Sequence, residues 1–205
     1  MNPYYHRARF LKSAAALDQL PPHEDAREVA FAGRSNAGKS SALNVICSQK
    51  SLARTSKTPG RTQLINLFEL DPGRRLVDLP GYGFARVTQP IRVQWQGLLT
   101  QYVETRECLR GIVLMMDSRH PLKDLDLQMI EWCRSLELPV HILLTKADKL
   151  KHGPAKQTLF RVQKALADDP GISTQLFSAL KREGIDTAHE VLDRWLDVPP
   201  PETTA

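Results

Sequence analysis

The sequence predicts an α/β fold, with a mostly parallel six-stranded sheet, one antiparallel edge strand, and helices on both faces. Short apolar segments of strand length alternate with longer segments of helical periodicity, which is typical of βαβ units. A tight turn at Asp71–Gly73 joins two strand-like segments without a helix between them, and this predicts one antiparallel hairpin. Ligands of such sheets bind beyond the carboxyl ends of the strands.

The elements follow one another in a regular order. We predict strands at 28–33, 63–70, 74–78, 111–117, 139–145 and 174–178. Helices are predicted at 39–47, 91–107, 125–136, 155–167 and 185–196. Residues 1–27 are interpreted as an irregular extension that packs on or flanks the domain of residues 28–197. The tail at 198–205 has three prolines and is expected to be disordered.

Composition excludes several classes of protein. With 205 residues, 41% hydrophobic and 25% charged, the chain matches a globular protein rather than a disordered one. Its apolar stretches are far shorter than the ~20 residues of a transmembrane helix, and no secretory signal is evident. The three cysteines are widely spaced, which argues against a disulfide framework or a zinc cluster. We expect buried thiols, a cytoplasmic location and no insertion into membranes.

Positive charge is concentrated in the first part of the chain. Residues 1–75 carry 12 Lys or Arg and 6 Asp or Glu, whereas the whole chain has a net charge of +5. Residues 29–68 contain six basic residues and no acid. This pattern favours a segment that faces phosphate, in a small ligand or in a nucleic-acid backbone, although a solvated basic loop would look the same.

The strongest motif lies between the first predicted strand and the first predicted helix. Residues 33–40 fit the pattern G-x-x-x-x-G-K-[ST], whose backbone N–H groups and helix N-terminus bind phosphates. In this pattern Lys39 reaches the β- and γ-phosphates, and the Ser40 hydroxyl ligates Mg²⁺. The phosphate-binding candidates are Gly33, Arg34, Ser35, Asn36, Ala37, Gly38, Lys39 and Ser40.

Two further segments are candidates for the ion and the γ-phosphate. Asp78 follows a strand and suits a carboxylate that holds Mg²⁺, directly or through water. Gly81 lets a backbone N–H approach the γ-phosphate, and Leu79 and Pro80 complete this segment. Thr62, in the basic loop, can complete the Mg²⁺ coordination, or it can be a solvent-facing residue before a strand.

Thr145, Lys146, Ala147 and Asp148 follow another strand and form the base-reading candidate. The Asp148 carboxylate can accept hydrogen bonds from guanine N1–H and N2–H, a donor pair that adenine lacks. Its alternative role is a helix N-cap. A weaker candidate is the segment Phe177, Ser178 and Ala179, where a backbone N–H could meet guanine O6, or which could be only a strand-to-loop junction.

Together, the segments GRSNAGKSS, TPGRTQ, DLPGYG, TKAD and FSAL resemble, in order, the five GTP-binding boxes of TRAFAC-class GTPases. The phrases SKTPGRTQLINLFEL and LVDLPGYGFARV resemble the EngB (YihA/YsxC) family of bacterial ribosome-biogenesis GTPases over about residues 7–197. The resemblance implies a Ras-like P-loop domain, Mg²⁺-dependent hydrolysis of GTP to GDP, association with 50S precursors and rRNA, and a link to cell division and septation. It implies no DNA partner, and nothing in the sequence demands more than a monomer.

The resemblance also implies roles for particular residues. A first switch is expected at Gly60, Arg61, Thr62, Gln63 and Leu64, and a second at Asp78–Gly81. Lys39, Thr62 and Gly81 are the catalytic candidates, and Ser40, Thr62 and Asp78 are the metal candidates. The loops 50–62 and 80–92 are expected to change with the nucleotide, and their basic residues could contact rRNA.

Four points stay open at the level of the sequence. Tyr82 stands where a water-orienting glutamine is found in Ras-like switches, which predicts slow turnover. Asn36 is a candidate ligand for K⁺ beside the phosphates, or it shapes the loop by a backbone hydrogen bond. Arg34 and Arg61 are possible charge stabilisers or surface contacts. A division protein that uses GTP for affinity, and a P-loop kinase, are alternative functions, although Asp148 argues against the kinase.

Overall fold

The computed structural model describes residues 2–53, 64–82 and 89–199, with the backbone alone described for residues 89–96. Seven strands form a single sheet in these residues: β1 (Arg9–Ala14), β2 (Arg27–Gly33), β3 (Ile65–Asp71), β4 (Arg74–Asp78), β5 (Leu109–Asp117), β6 (Val140–Thr145) and β7 (Ile172–Leu176). Five α-helices accompany them: α1 (Lys39–Ile46), α2 (Gln89–Thr105), α3 (Asp124–Ser135), α4 (His152–Ala165) and α5 (Ile185–Leu196).

The sheet has the strand order β1-β3-β4-β2-β5-β6-β7. Four neighbouring pairs are parallel: β4–β2, β2–β5, β5–β6 and β6–β7. The pairs β1–β3 and β3–β4 are antiparallel. The predicted hairpin is therefore confirmed, and Gly73 in its turn has a φ of +95°, which favours glycine. The predicted α/β class with a mostly parallel sheet is also confirmed.

The predicted number of strands was wrong, because residues 9–14 form an additional strand. Strand β1 pairs with β3 and becomes the edge of the sheet, so β3 lies one position inside. Its segment RFLKSA has no strict alternation, and the register shifts between Phe10 and Lys12. The pairing is fixed by partners far along the chain, such as the Arg9–Glu69 ion pair at 2.5 Å.

The N-terminal segment also packs on the domain before β1 begins. Tyr5 is fully buried, stacks on His189 with ring centroids 4.4 Å apart, and donates a 2.7 Å hydrogen bond to Asp193. The Tyr4 hydroxyl donates to Asp71 at 2.5 Å. The first residues are therefore ordered by contacts with α5 and the hairpin, and the interpretation of residues 1–27 as irregular was wrong.

Side chains that alternate along the central strands fill two cores, one on each face of the sheet. Val29 and Phe31 of β2 face one core with α1 and α5, whereas Ala30 and Ala32 face the other core with α2, α3 and α4. All three cysteines are free and buried, as predicted, and burial raises the pKa of each thiol to about 12. Within the described residues, no helix is both long and apolar enough to cross a membrane.

The predicted tail begins after α5. Val198 packs against the core and donates a backbone hydrogen bond to Asp193 O at 2.9 Å. Residues 200–205 lie outside the described residues, so the disorder predicted for them stays a prediction.

Candidate functional site

Five strands end at one edge of the sheet and bring the predicted polar residues together. Parallel pairing sets Phe31 of β2 beside Asp78 of β4, and Asp117 of β5 beside Thr145 of β6. The loop after β2, the segment after β4 and the segment after β6 therefore share one edge. This is the place where ligands of open α/β sheets bind.

The loop between β2 and α1 has the shape of an anion-binding nest. Asn36 and Gly38 both adopt left-handed backbone conformations, with φ of +65° and +90°. Successive N–H groups in such alternating conformations converge on one point, and the first-turn N–H groups of α1 lie beside it. At the start of the loop, a Cβ on Gly33 would lie 2.9 Å from Met115 O, so close packing against β5 requires glycine there.

The last residue of β6 and the residue after it hold this loop from the side. The Thr145 hydroxyl lies 2.5 Å from Ala37 O, and the Lys146 ammonium donates to Asn36 O at 2.7 Å. Lys146 also donates to Asp117 Oδ2 at 3.0 Å. Lys146 therefore ties the base-reading segment to the phosphate loop.

At the phosphate end, the ammonium of Lys39 forms an ion pair with the carboxylate of Asp78. The Asp78 side chain is only 7% exposed, so its charge depends on a partner. Ser40 lies half-buried in the first turn of α1. A carboxylate and a hydroxyl are the hard oxygen ligands that Mg²⁺ prefers, so the residues present fit this ion, provided that phosphate oxygens complete its coordination.

The segment after β4 continues beside the phosphate loop. Ser35 N donates to Tyr82 O at 2.8 Å, and Tyr82 N donates to Gly33 O at 3.2 Å. Gly81 therefore lies against the loop, and a Cβ on it would lie 3.6 Å from Ser35 N, an ordinary contact. Leu79 is buried, and its N–H donates to Phe31 O at 3.0 Å. Pro80, between Leu79 and Gly81 in the chain, is also buried.

The side chain of Tyr82 points away from the phosphate loop. It is buried, and its hydroxyl lies 3.4 Å from Asp126 Oδ1. Burial, together with the Asp126 charge, raises the pKa of the Tyr82 phenol well above its usual value. The phenol is therefore a neutral group of the core between the sheet and α3.

Arg34 is bound to the same carboxylate. Its Nε lies 3.1 Å from both carboxylate oxygens of Asp126, which is fully buried, and its Nη2 donates to His120 O at 3.0 Å. Burial raises the pKa of Asp126. Arg34 is thus ion-paired and partly buried in this structure, and its role beside the phosphates stays a prediction. Sequence reasoning missed this pair because its members are 92 positions apart.

Five of the seven predicted base-reading residues line a cavity of about 190 Å³: Thr145, Lys146, Asp148, Phe177 and Ala179. The Ser178 hydroxyl donates to Asp148 Oδ1 at 2.7 Å and accepts from Lys181 N at 3.1 Å. The Asp148 side chain is 7% exposed, and Lys149 lies 3.8 Å from its Oδ2. The structure adds four lining residues that sequence reasoning did not single out: Gly38 of the phosphate loop in this role, Ser41, Lys149 and Leu180.

The backbone of the last segment narrows the candidates for a hydrogen bond to the base. Phe177 N donates to Leu144 O at 2.9 Å, and Ser178 N donates to Glu183 O at 3.1 Å. Ala147 N is bonded to Phe177 O at 3.1 Å, which ties the two base segments together. Of the three predicted residues, Ala179 is the one whose N–H has no recorded acceptor among the described residues and which also lines the cavity.

Asp117, at the end of β5, was also missed. It accepts hydrogen bonds from Arg119 at 2.6 Å and from Lys146 at 3.0 Å. These cations, with Arg119 contributing most, hold the pKa of Asp117 far below its usual value. Its position at the carboxyl end of a strand was the signal that could have revealed it.

Part of the predicted site lies outside the described residues. This holds for four first-switch candidates, Gly60, Arg61, Thr62 and Gln63, and for the basic residues Arg54, Lys57 and Arg86. Leu64 is described as half-buried, immediately before β3. The roles of these residues stay predictions.

Comparison with known proteins agrees with this arrangement. A family described as "50S ribosome-binding GTPase" matches residues 28–146. A probable GTP-binding protein EngB of Hydrogenovibrio crunogenus is 54% identical over 197 residues, which are 96% of this chain and 92% of that protein. The chain belongs to the EngB family. A second EngB, from an Enterobacter species, is 55% identical over 93% of this chain and 92% of its own length.

Solved structures share the fold. A crystal structure of a probable GTP-binding protein engB superposes with a TM-score of 0.67 at 20% identity, over 83% of this chain and 98% of that one. Era, crystallised with MgGDPNP and a 16S rRNA fragment, gives a TM-score of 0.64 at 22% identity, over 86% and 58% of the two chains. As a member of the EngB family, the protein is a GTP-hydrolysing enzyme. Its nucleotides are GTP and GDP, and Mg²⁺ is the usual ion of such enzymes.

Proposed function

We propose that this EngB-family GTPase assists assembly of the large (50S) ribosomal subunit, binding a 50S precursor and its rRNA in one nucleotide state and leaving in the other. The observation that carries this proposal is the match of residues 28–146 to a family of 50S ribosome-binding GTPases. The Era structure with bound 16S rRNA supports RNA as a partner for a domain of this fold. Impaired division would then follow from a shortage of ribosomes.

The proposal assigns the phosphate end of the site two tasks. The nest around Asn36 and Gly38 binds the phosphates. The Lys39 ammonium leaves its ion pair with Asp78 and binds the β- and γ-phosphates instead. Asp78, Ser40 and Thr62 would hold Mg²⁺, which would supply positive charge beside the phosphates. Gly81 N–H lies where the third phosphate would arrive.

At the base end, Asp148 selects guanine. Ser178 fixes Oδ1 of its carboxylate at 2.7 Å, so the carboxylate faces the cavity in one orientation. Lys146 spans from Asn36 O to Asp117, and its aliphatic part forms one wall for the base. The Ala179 N–H is the remaining donor for guanine O6.

We propose that unaided turnover is slow. Tyr82 is held in the core beside Asp126, so no side chain from this position orients the attacking water. Asn36 has an exposed side chain, and no hydrogen bond of that side chain is recorded among the described residues. This supports a role for Asn36 as a K⁺ ligand over a loop-shaping one. Replacement by Ala should abolish a stimulation of hydrolysis by K⁺ over Na⁺, and a retained stimulation would contradict the role.

Co-sedimentation with purified 50S subunits tests the partner. The protein is loaded with GDP or with a non-hydrolysable GTP analogue and centrifuged across a salt series. We expect association with 50S subunits in the GTP-analogue state and a weaker association with GDP. No association in either state, with guanine binding intact, would refute the ribosomal role and favour the alternative of a division protein that uses GTP for affinity.

A further inference from the structure

A second basic surface lies on α4, away from the loops that are expected to respond to the nucleotide. Residues 149–167 contain five Lys or Arg and no Asp or Glu, although the second part of the chain as a whole is slightly acidic. The basic residues Lys149, Lys151, Lys156, Arg161 and Lys164 are joined by His152. The net charge of the second part of the chain therefore does not reveal this local excess of positive charge.

Most of these cations have no recorded partner. The structure records an ion pair for Lys149, 3.8 Å from Asp148, and none for the other four within the described residues. The neighbouring acids do not neutralise the helix face: Asp169 is bound to Arg134 at 2.8 Å, and Asp168 is exposed beyond the helix end. Four cations with no acid between them repel one another, which is a cost unless a polyanion binds there.

An exposed aromatic ring stands in the middle of this surface. Phe160 is 67% exposed, although it lies in the same helix as the buried Val162. His152, Lys156, Phe160 and Lys164 are spaced four residues apart, so they form one ridge about 18 Å long. The ring therefore has a cation one helical turn away on each side.

We propose that this α4 ridge binds single-stranded RNA, with Lys156 and Lys164 against the phosphates and Phe160 stacked on one base. Arg161, beside the ridge, adds a further phosphate contact. Cations that follow a backbone, combined with an exposed ring, are the means by which proteins bind single strands. Duplex RNA offers no accessible base face for the ring. A membrane requires a broad apolar face, whereas the exposed side of α4 has one large apolar side chain, Phe160.

The choice of RNA over DNA rests on the proposed ribosomal function. The α4 helix follows the base-reading segment rather than the phosphate loop, and no part of it lies in loops 50–62 or 80–92. The ridge therefore provides a contact whose strength does not depend on the nucleotide. It would add the same affinity for RNA in both states, while the switch loops decide whether the protein associates or leaves.

Fluorescence anisotropy with a labelled single-stranded oligouridine tests the ridge. The full chain is titrated at several salt concentrations, with duplex RNA and anionic phospholipid vesicles as the other probes. We expect Phe160→Ala to bind the single strand about tenfold more weakly with an unchanged salt slope. We expect Lys156→Ala to reduce the slope of log K against log salt by about 0.7.

Matched substitutions elsewhere control for the loss of charge and of apolar surface. Arg110→Ala removes an exposed cation from β5, and Leu127→Ala removes an exposed apolar side chain from α3. Both should bind the oligonucleotide like the unmodified protein. All four substitutions lie outside the GTP site, so each variant should hydrolyse GTP at the unmodified rate, which also reports correct folding.

Three outcomes would overturn the proposed role of the ridge. The unmodified protein does not bind the single strand, or the α4 variants bind it as the controls do. In the third outcome, only duplex RNA or vesicles are bound. The 50S assay separates this failure from failure of the proposed function. If the unmodified protein sediments with 50S subunits and the α4 variants do so equally well, the ridge alone is wrong. If the ridge is right, the variants lose 50S association by the same factor in the GDP and GTP-analogue states.

Discussion

The two ends of the nucleotide site are built in different ways. At the base end, the Ser178 hydroxyl donates to Asp148 Oδ1 at 2.7 Å, and the Lys146 ammonium donates to Asn36 O at 2.7 Å. Both side chains are therefore held in place while part of each still faces the cavity. At the phosphate end, Lys39 and Asp78 are paired with each other. The base end is therefore preorganised, whereas phosphate and Mg²⁺ must exchange an existing ion pair for new partners. The comparison predicts firm base selection and a phosphate end that responds to what is bound.

The largest effect is expected at the preorganised end. Asp148→Asn replaces an acceptor by a donor opposite the guanine N–H groups and removes two charge-assisted hydrogen bonds, so affinity for GTP and GDP should fall by about a thousandfold. Xanthosine nucleotides, which carry an oxygen in place of the 2-amino group, should bind the variant better than guanosine nucleotides do. Titration calorimetry measures both, with the exposed Asp168→Asn as the control. A loss of less than tenfold would contradict base selection by Asp148.

The next prediction distinguishes the contribution of Mg²⁺ to GTP affinity from that of the phosphate contacts. Asp78→Asn removes the proposed Mg²⁺ ligand and also frees Lys39, so GTP affinity should fall about a hundredfold with Mg²⁺ present. With EDTA, the variant should bind GTP as well as or better than the unmodified protein, because its lysine no longer has to leave a carboxylate. Equal losses with and without Mg²⁺ would show that Asp78 has a structural role only.

Gly81→Ala tests whether the third phosphate of GTP binds beside this glycine. The added Cβ meets Gly33 O and Ser35 N at 3.6 Å, which the fold accommodates. Under the proposed function, the third phosphate lies beside this glycine, so the Cβ should hinder it. We expect GDP affinity within about twofold of the unmodified value and GTP affinity about tenfold lower. Fluorescent GDP and GTP-analogue titrations give the ratio. An unchanged ratio would place the γ-phosphate elsewhere.

A smaller effect tests how the base end is preorganised. Ser178→Ala removes one hydrogen bond to the Asp148 carboxylate, worth about 1 kcal/mol, so affinity for both GDP and GTP should fall about fivefold. The GDP-to-GTP ratio should stay constant, because the change is confined to the base end. Competition titrations measure both affinities, and a selective loss of GTP would break the proposed division between the two ends.

The smallest effect concerns the support of the phosphate end. His189 is buried, its Nε2 donates to Ile46 O at the end of α1 at 2.9 Å, and its Nδ1 accepts from Asn2 N at 3.0 Å. Burial lowers the pKa of His189 below its usual value of about 6.5, so the unfolded state binds more protons. This contribution to stability is present above about pH 6.5 and is lost as the pH falls below it.

His189→Gln should therefore flatten the pH dependence of the free energy of unfolding. Between pH 6.5 and 5.5, the unmodified protein should lose up to about 1 kcal/mol more than the variant in urea denaturation. His141 is also buried with a lowered pKa, but it is present in both proteins and cancels in the difference. Parallel pH profiles would show that His189 does not resist protonation.

Local patterns predicted most of the fold and most of the residues that the sheet brings to the candidate site. The buried runs at β2, β5 and β6 and the glycine pattern at Gly33–Ser40 are properties of contiguous residues, and helix α5 was predicted at its observed bounds of 185–196. Features that depend on distant partners were not predictable. Strand β1 exists because of its pairing with β3, and Arg34 is held by a carboxylate on α3. Likewise, no local signal places Tyr82 inside the core rather than over the phosphates.

The most direct test of the account asks whether this site controls association with the ribosome. Asp148→Asn is incubated with 50S subunits and a non-hydrolysable analogue of either xanthosine or guanosine triphosphate, then sedimented. The account predicts association with the xanthosine analogue and little with the guanosine analogue, the reverse of the unmodified protein. Equal association with both analogues, at concentrations that saturate the unmodified protein, would contradict control of the partner by the nucleotide bound at Asp148.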